Sequence, residues 1–93
     1  MTLFWNRIQS DANDQFQAWR QSNWNTGEFL TYATKHGVKT CKLHSARCRH
    51  FNNPAVISSR SFASSPKICC TDRQELFAWA RAQGATLEGC DCM

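Results

Sequence analysis

The sequence predicts a single small α+β domain over residues 1–93, with two or three amphipathic helices packed on a small sheet. Apolar residues recur at helical spacing near the start of the chain, and two later segments combine a capping box with a helical apolar stripe. Short runs that favour strands lie between and after these segments. With 93 residues, of which 42 % are apolar and 19 % charged, the composition is that of a globular protein with a thin core.

The first segment, residues 2–23, is predicted to be a helix. Its apolar residues are three or four positions apart, which places them on one face of a helix. A shorter helix that begins near residue 11 is the alternative, because Asp11 and Asp14 suit an N-terminal cap. The residues on the apolar face are Phe4, Ile8, Ala12, Phe16 and Trp19.

A short pattern then occurs twice. Residues 25–33 read NTGEFLTYA and residues 72–80 read DRQELFAWA. Each copy begins with Asn or Asp, has Glu three residues later as in a capping box, and continues with large apolar residues. A glycine follows each copy, Gly37 and Gly84, where a helix would end. The pattern predicts helices at about 25–36 and 72–83. We favour two ordinary capped helices over a duplicated helix–strand unit.

The remaining segments favour strands. Residues 38–43 alternate between polar and apolar types, as in a half-buried strand, and residues 85–88 show a weaker form of this pattern. Another strand is expected within residues 55–63. The short apolar run at 68–70 leads into the last helix, and in a regular strand only one of its two cysteines would face the core.

The charge is distributed unevenly along the chain. No Asp or Glu lies between Phe29 and Thr71, whereas residues 35–50 are dense in Lys, Arg and His. We expect this basic segment to attract an acidic protein surface or nucleic acid, or else to serve only solubility. The net charge of +4 is modest for a dedicated DNA binder, which favours a protein partner. The candidate partner-binding residues are Trp24, an aromatic in a polar connection, with Lys35, Lys39, Lys42, Arg47 and Arg49.

Six cysteines admit three interpretations: three disulfides, one structural zinc, or buried apolar side chains. The absence of a recognisable secretory signal disfavours disulfides. A zinc would stabilise so short a chain, although the C-x2-C spacing of zinc knuckles does not occur. The cofactor expectation is therefore one structural zinc or none. The candidate metal ligands are Cys41, His44, Cys48, Cys69 and Cys90.

No segment carries a catalytic motif. There is neither a Gly-rich phosphate loop nor a nucleophile elbow, and most acidic residues occupy positions typical of helix caps. A Cys–His nucleophile pair, with Cys41 or Cys48 as the thiol, is formally available. A thin core leaves little room for a deep pocket, so we expect a protein that is not an enzyme.

In its short length, lack of catalytic motif and polarised charge, the chain resembles small host-directed proteins of phages and mobile elements, and no specific residues carry this resemblance. It implies a non-enzymatic inhibitor or modulator that docks on a larger protein or nucleoprotein complex with an acidic surface. The alternatives are a zinc-stabilised nucleic-acid-binding module and a small disulfide-stabilised secreted protein. We expect a cytoplasmic location and no membrane span.

Overall fold

A computed structural model describes residues 1–5, 10–49 and 66–90 of the chain. These residues form a five-stranded mixed sheet and two helices, which confirms the predicted mixed α+β class. In chain order the elements are β1 (Thr2–Phe4), α1 (Ala12–Ser22), β2 (Glu28–Lys35), β3 (Val38–Ser45), β4 (Lys67–Cys70), α2 (Arg73–Ala82) and β5 (Thr86–Gly89). The strand predicted within residues 55–63 lies outside the described residues.

The strands lie in the order β1-β4-β2-β3-β5. β4 pairs antiparallel with both β1 and β2, and β2 forms an antiparallel hairpin with β3. The hairpin turn has positive φ at His36 (51°) and Gly37 (79°), as a two-residue type I′ turn requires. β5 pairs parallel with β3, so the C-terminal ends of these two strands lie side by side.

The two helices cover opposite faces of the sheet. On one face α1 packs Phe16 against Phe29, with ring centroids 4.8 Å apart. On the other face α2 packs Leu76 and Ala80 over the sheet. The α1 layer of buried residues comprises Phe4, Phe16, Phe29, Cys48, Cys69 and Cys90. The α2 layer comprises Leu30, Cys41, Leu43, Ile68, Cys70, Leu76 and Ala80.

The helix predicted at residues 25–36 is wrong, because this segment forms the strand β2. Phe29 belongs to the α1 layer and Leu30 to the α2 layer, and both are fully buried. A strand covered on both faces buries consecutive residues, which produces the apolar run that looked helical. Gly37 lies in the hairpin turn rather than at a helix end. The proposed pair of equivalent helices therefore does not exist, nor does the duplicated unit.

The second copy of the pattern does form a helix, α2, which confirms the prediction for residues 72–83. The Asp72 side chain caps it by accepting a hydrogen bond from the Gln74 amide at 2.9 Å. Gly84 follows with a φ of 69°, the left-handed conformation that commonly ends a helix. No helix in the described part of the chain is long and apolar enough to cross a membrane.

The outcome for the other segments is mixed. The helix predicted over residues 2–23 is wrong at its start, where β1 pairs with β4, and α1 matches the shorter alternative. The strands predicted at 38–43 and 85–88 are confirmed by β3 and β5. Cys69 and Cys70 are both buried, one in each layer. The expectation that only one would face the core was wrong because the sheet is covered on both faces.

Gly27 lies where the chain returns past the end of α1 to enter β2. A Cβ atom at this position would lie 2.6 Å from Trp19 Cη2 and 2.9 Å from the carbonyl oxygen of Asn23. We expect Gly27→Ala to lower the free energy of unfolding by about 1–3 kcal/mol, because the backbone must shift to admit the methyl group. Chemical denaturation measures this change. Gly89→Ala is the control, since nothing lies within 4 Å of its added Cβ, and an equal loss in both variants would contradict the prediction.

Candidate metal centre

Three potential metal ligands meet where the ends of β3 and β5 lie side by side. His44 is near the end of β3, and Cys90 directly follows β5. The Cys90 amide donates to the Leu43 carbonyl at 2.9 Å, which extends the parallel pairing by one residue. Beyond β3 the chain turns back, with the Cys48 amide donating to the Ser45 carbonyl at 3.0 Å. The turn brings Cys48 beside His44.

The ligand atoms of His44, Cys48 and Cys90 all lie within 4.8 Å of one another, so this buried cluster could hold a metal ion. Cys48 Sγ is 3.6 Å from His44 Nδ1 and 3.8 Å from Cys90 Sγ. A tetrahedral zinc, with Zn–S about 2.3 Å and Zn–N about 2.0 Å, separates its ligand atoms by about 3.5–3.8 Å. The spacing observed around Cys48 is therefore close to the spacing that a bound zinc would require.

The ring of His44 is oriented by two neighbours. Its Nε2 lies 3.1 Å from Thr31 Oγ1, and the ring stacks on Phe29 with centroids 5.0 Å apart and planes inclined by 17°. With the proton on Nε2, the ring donates to the threonine hydroxyl, and the Nδ1 lone pair is left for the side that holds the Cys48 sulfur. A hydrogen-bond partner on the far ring nitrogen is a common feature of histidine metal ligands.

Arg20 of α1 holds the residues around Cys48 from inside the protein. We call residues 46–49 the basic loop, because Arg47 and Arg49 flank Cys48. Arg20 is 2 % exposed, and its guanidinium donates to the carbonyls of Ala46 at 2.8 Å and Cys48 at 3.1 Å. Burial lowers the pKa of Arg20, and the nearby Cys48 opposes this shift. Arginine nevertheless remains charged, so α1 places a cation beneath the loop.

Sequence reasoning missed Arg20, although a signal was present. Ala12, Phe16 and Arg20 are four residues apart, and all three are buried on one face of α1. The spacing alone placed Arg20 in line with the apolar stripe. What the sequence could not show was which carbonyls it would bind.

The other predicted ligands lie away from the three-residue cluster. Cys41 is in the α2 layer, across the sheet from His44, because residues three apart on a strand point to opposite faces. Cys69 belongs to the α1 layer, and burial raises the pKa of its thiol. Beside it, burial lowers the pKa of Lys67 to about 8. No disulfide joins the described cysteines, which are Cys41, Cys48, Cys69, Cys70 and Cys90.

The predicted partner-binding residues divide between two ends of the sheet. Lys35 and Lys42 line a groove of about 330 Å³ on the α1 side of the β2–β3 hairpin, with Glu88 on its rim. Lys39 lies two residues from Cys41 on β3, so strand alternation places both on the α2 side of the sheet. Lys39 is therefore on the face opposite to Lys35 and Lys42. Arg47 lies beyond the other end of β3. The basic segment therefore does not form one continuous face.

A second, polar groove of about 490 Å³ lies at the Arg47 end. Arg73 borders it and makes a two-pronged ion pair with Glu28, with Nη2 to Oε2 at 2.5 Å and Nε to Oε1 at 3.0 Å. In the described parts of the chain the Arg47 guanidinium has no hydrogen-bond or ion-pair partner. Trp24 stands next to the groove residue Asn25 and is 39 % exposed, and its ring lies 5.6 Å from the Arg20 guanidinium carbon.

No protein-family model, curated protein or solved structure gives a significant match to this chain. The side chains of the cluster and of the basic loop are therefore the basis for assigning a function.

We expect Arg20→Gln to lower the free energy of unfolding by about 2–4 kcal/mol, because buried carbonyls of the basic loop lose their charged donor. Arg81→Gln is the control, since Arg81 is an exposed arginine in the last turn of α2. Thermal and urea unfolding of both variants give the comparison. Equal stability of the two variants would show that the loop does not depend on Arg20.

Proposed function

We propose that this protein is a small non-enzymatic binding protein that docks its basic loop on an acidic surface of a larger protein. We further propose that one structural zinc, with His44, Cys48 and Cys90 as three of its four ligands, fixes the loop in place. The observation that carries both ideas is that Cys48, a member of the metal cluster, stands between Arg47 and Arg49. Docking of this kind is how a small phage-type inhibitor would act on a host protein.

The donor set supports zinc over other metals. Two cysteine sulfurs and one histidine nitrogen are the ligands that Zn²⁺ prefers, whereas Ca²⁺ and Mg²⁺ take oxygen ligands. The three residues are between 1 % and 6 % exposed. A metal here would join the loop after β3 to the end of β5, two parts of the chain that are 42 residues apart. A chain with a thin core gains stability from such a link.

The surface at the loop supports docking on a protein. Arg47, whose guanidinium has no partner among the described residues, lines the polar groove, and the partly exposed Trp24 directly precedes the groove residue Asn25. Arginine and tryptophan are the residues most often found at the energetic centres of protein interfaces. An arginine fork also matches the two oxygens of a partner's carboxylate.

Catalysis is less well supported by the same cluster. Cys48 and His44 are 3.6 Å apart and Thr31 orients the histidine, as in a thiol nucleophile with its base. However, Cys48 is 1 % exposed, and neither of the two grooves described above includes it or His44. These two grooves therefore give a substrate no access to the sulfur, whereas a structural metal lies buried among its ligands.

Zinc binding can be tested by native mass spectrometry. We expect the purified protein to carry one zinc, seen as about 63 Da of added mass that is lost on acid denaturation. His44→Ala and Cys90→Ala each remove a ligand, and we expect each to lower zinc affinity at least about tenfold. Cys41→Ala is the matched control, a buried cysteine in the other layer. Zinc bound equally by all variants, or absent from the wild type, would overturn the site.

Docking can be tested with labelled poly-glutamate as an acidic probe, followed by fluorescence anisotropy. We expect Arg47→Glu to weaken binding about tenfold, because it places like charge against the probe at the groove. Lys39→Glu makes the same charge change at the far end of the hairpin, and we expect a much smaller effect.

Equal weakening by both substitutions would mean that net charge, and not the loop, governs binding. The same variants titrated with duplex DNA at two salt concentrations address the nucleic-acid alternative. Tighter binding to DNA than to poly-glutamate, falling steeply with salt, would overturn the protein-docking proposal.

A further inference from the structure

We propose that Cys48 and Cys90 are also a thiol-oxidation site, at which a reversible disulfide and a bound zinc exclude each other. This inference rests on the zinc site proposed above. It adds regulation to that site, because the metal that fixes the basic loop would be released when the two sulfurs are oxidised.

The geometry selects this pair from the described cysteines. Cys48 Sγ and Cys90 Sγ are 3.8 Å apart, so a disulfide of about 2.05 Å needs the sulfurs to approach by less than about 2 Å. Cys41 and Cys70 lie in the α2 layer, on the far side of the sheet from this pair. Cys69 shares the α1 layer, but it is not among the residues whose ligand atoms lie within 4.8 Å of one another. Neither Cys48 nor Cys90 lies inside a strand, and the Cys90 amide adds one hydrogen bond, to the Leu43 carbonyl, beyond the end of β5. The approach of the two sulfurs can therefore leave the strands themselves unchanged.

Cys90 is the more exposed of the two cysteines. Cys90 is 6 % exposed and directly follows β5, whose residues Thr86–Gly89 are all exposed. Cys48 is 1 % exposed, and its Sγ lies 3.8 Å from that of Cys90. We therefore expect the oxidant to react first with Cys90, and Cys48 to act as the resolving cysteine that forms the disulfide.

The oxidation balances with a peroxide as the oxidant. The Cys90 thiolate attacks one oxygen of hydrogen peroxide, the O–O bond breaks, and a sulfenic acid and hydroxide form. The Cys48 thiolate then attacks the sulfenic sulfur, which forms the S–S bond and expels a second hydroxide. The two sulfurs lose two electrons in total, and these reduce the peroxide. Disulfide sulfur carries no negative charge, so zinc loses two of its ligands and leaves as Zn²⁺.

The test treats the zinc-loaded protein with hydrogen peroxide and records native and non-reducing denatured mass spectra. We expect the bound zinc to be lost, about 63 Da, together with about 2 Da for two hydrogens, and peptide mapping should link Cys48 to Cys90. Dithiothreitol followed by zinc should restore the starting mass. Cys41→Ala should respond as the wild type does. Cys90→Ala should form no disulfide at Cys48.

Three results would overturn the inference. Zinc that stays bound after the disulfide forms would show that the two states do not exclude each other. A disulfide from Cys48 to any cysteine other than Cys90, Cys92 included, would show that Cys48 and Cys90 are not the oxidation pair. Addition of oxygen atoms to the cysteine sulfurs, without a disulfide, would show that the two sulfurs cannot approach to bonding distance. A reduced protein that takes up no zinc would overturn the proposed zinc site, and this is seen before any peroxide is added.

Discussion

The parallel pairing of β5 with β3 is the constraint on which the site depends. In a parallel pair both strands end at the same edge of the sheet, and the residues that follow them are neighbours. Leu43 lies opposite Gly89 in this register, so Cys90 emerges beside His44. An antiparallel β5 over the same residues would place Cys90 opposite Lys39, five residues away from His44 along β3. The cluster is thus a consequence of topology, and the chain between β3 and β5 must cross over to create it.

Burial of both sheet faces decides how far the fold could be predicted from the sequence. The helix α2 has one buried face and its own cap, so its periodicity and its Asp72–Gln74 contact are local features that the sequence displays. The first half of β2 is buried on both faces, at Phe29 and Leu30, and its pattern of apolar residues does not distinguish it from a helix. Its capping-box glutamate, Glu28, instead binds Arg73 of α2. That contact joins residues 45 apart in the chain, which no local pattern can show.

The candidate site could be predicted in part for the same reason. His44 and Cys48 are close in sequence and carry suitable donors, and Cys90 was recognisable by residue type. Cys41 has the spacing of a zinc knuckle relative to His44, but a knuckle needs a tight turn, and both residues lie within the strand β3. The alternation of the strand sends the two side chains to opposite layers. Secondary structure therefore had to be correct before the ligand spacing could be interpreted.

The charge of the cluster explains how it can lie in an apolar layer. Two thiolates, one neutral imidazole and one Zn²⁺ sum to zero, and without metal the two thiols are neutral when protonated. Either state avoids the large cost of an uncompensated buried charge. Arg20 is the charged group that remains in both states, and it is held by the carbonyls of Ala46 and Cys48 and by the Gln17 side chain. The positive charge beneath the basic loop is therefore permanent. The ligand exchange beside it trades one zinc for two protons, so zinc is held less tightly as the pH falls.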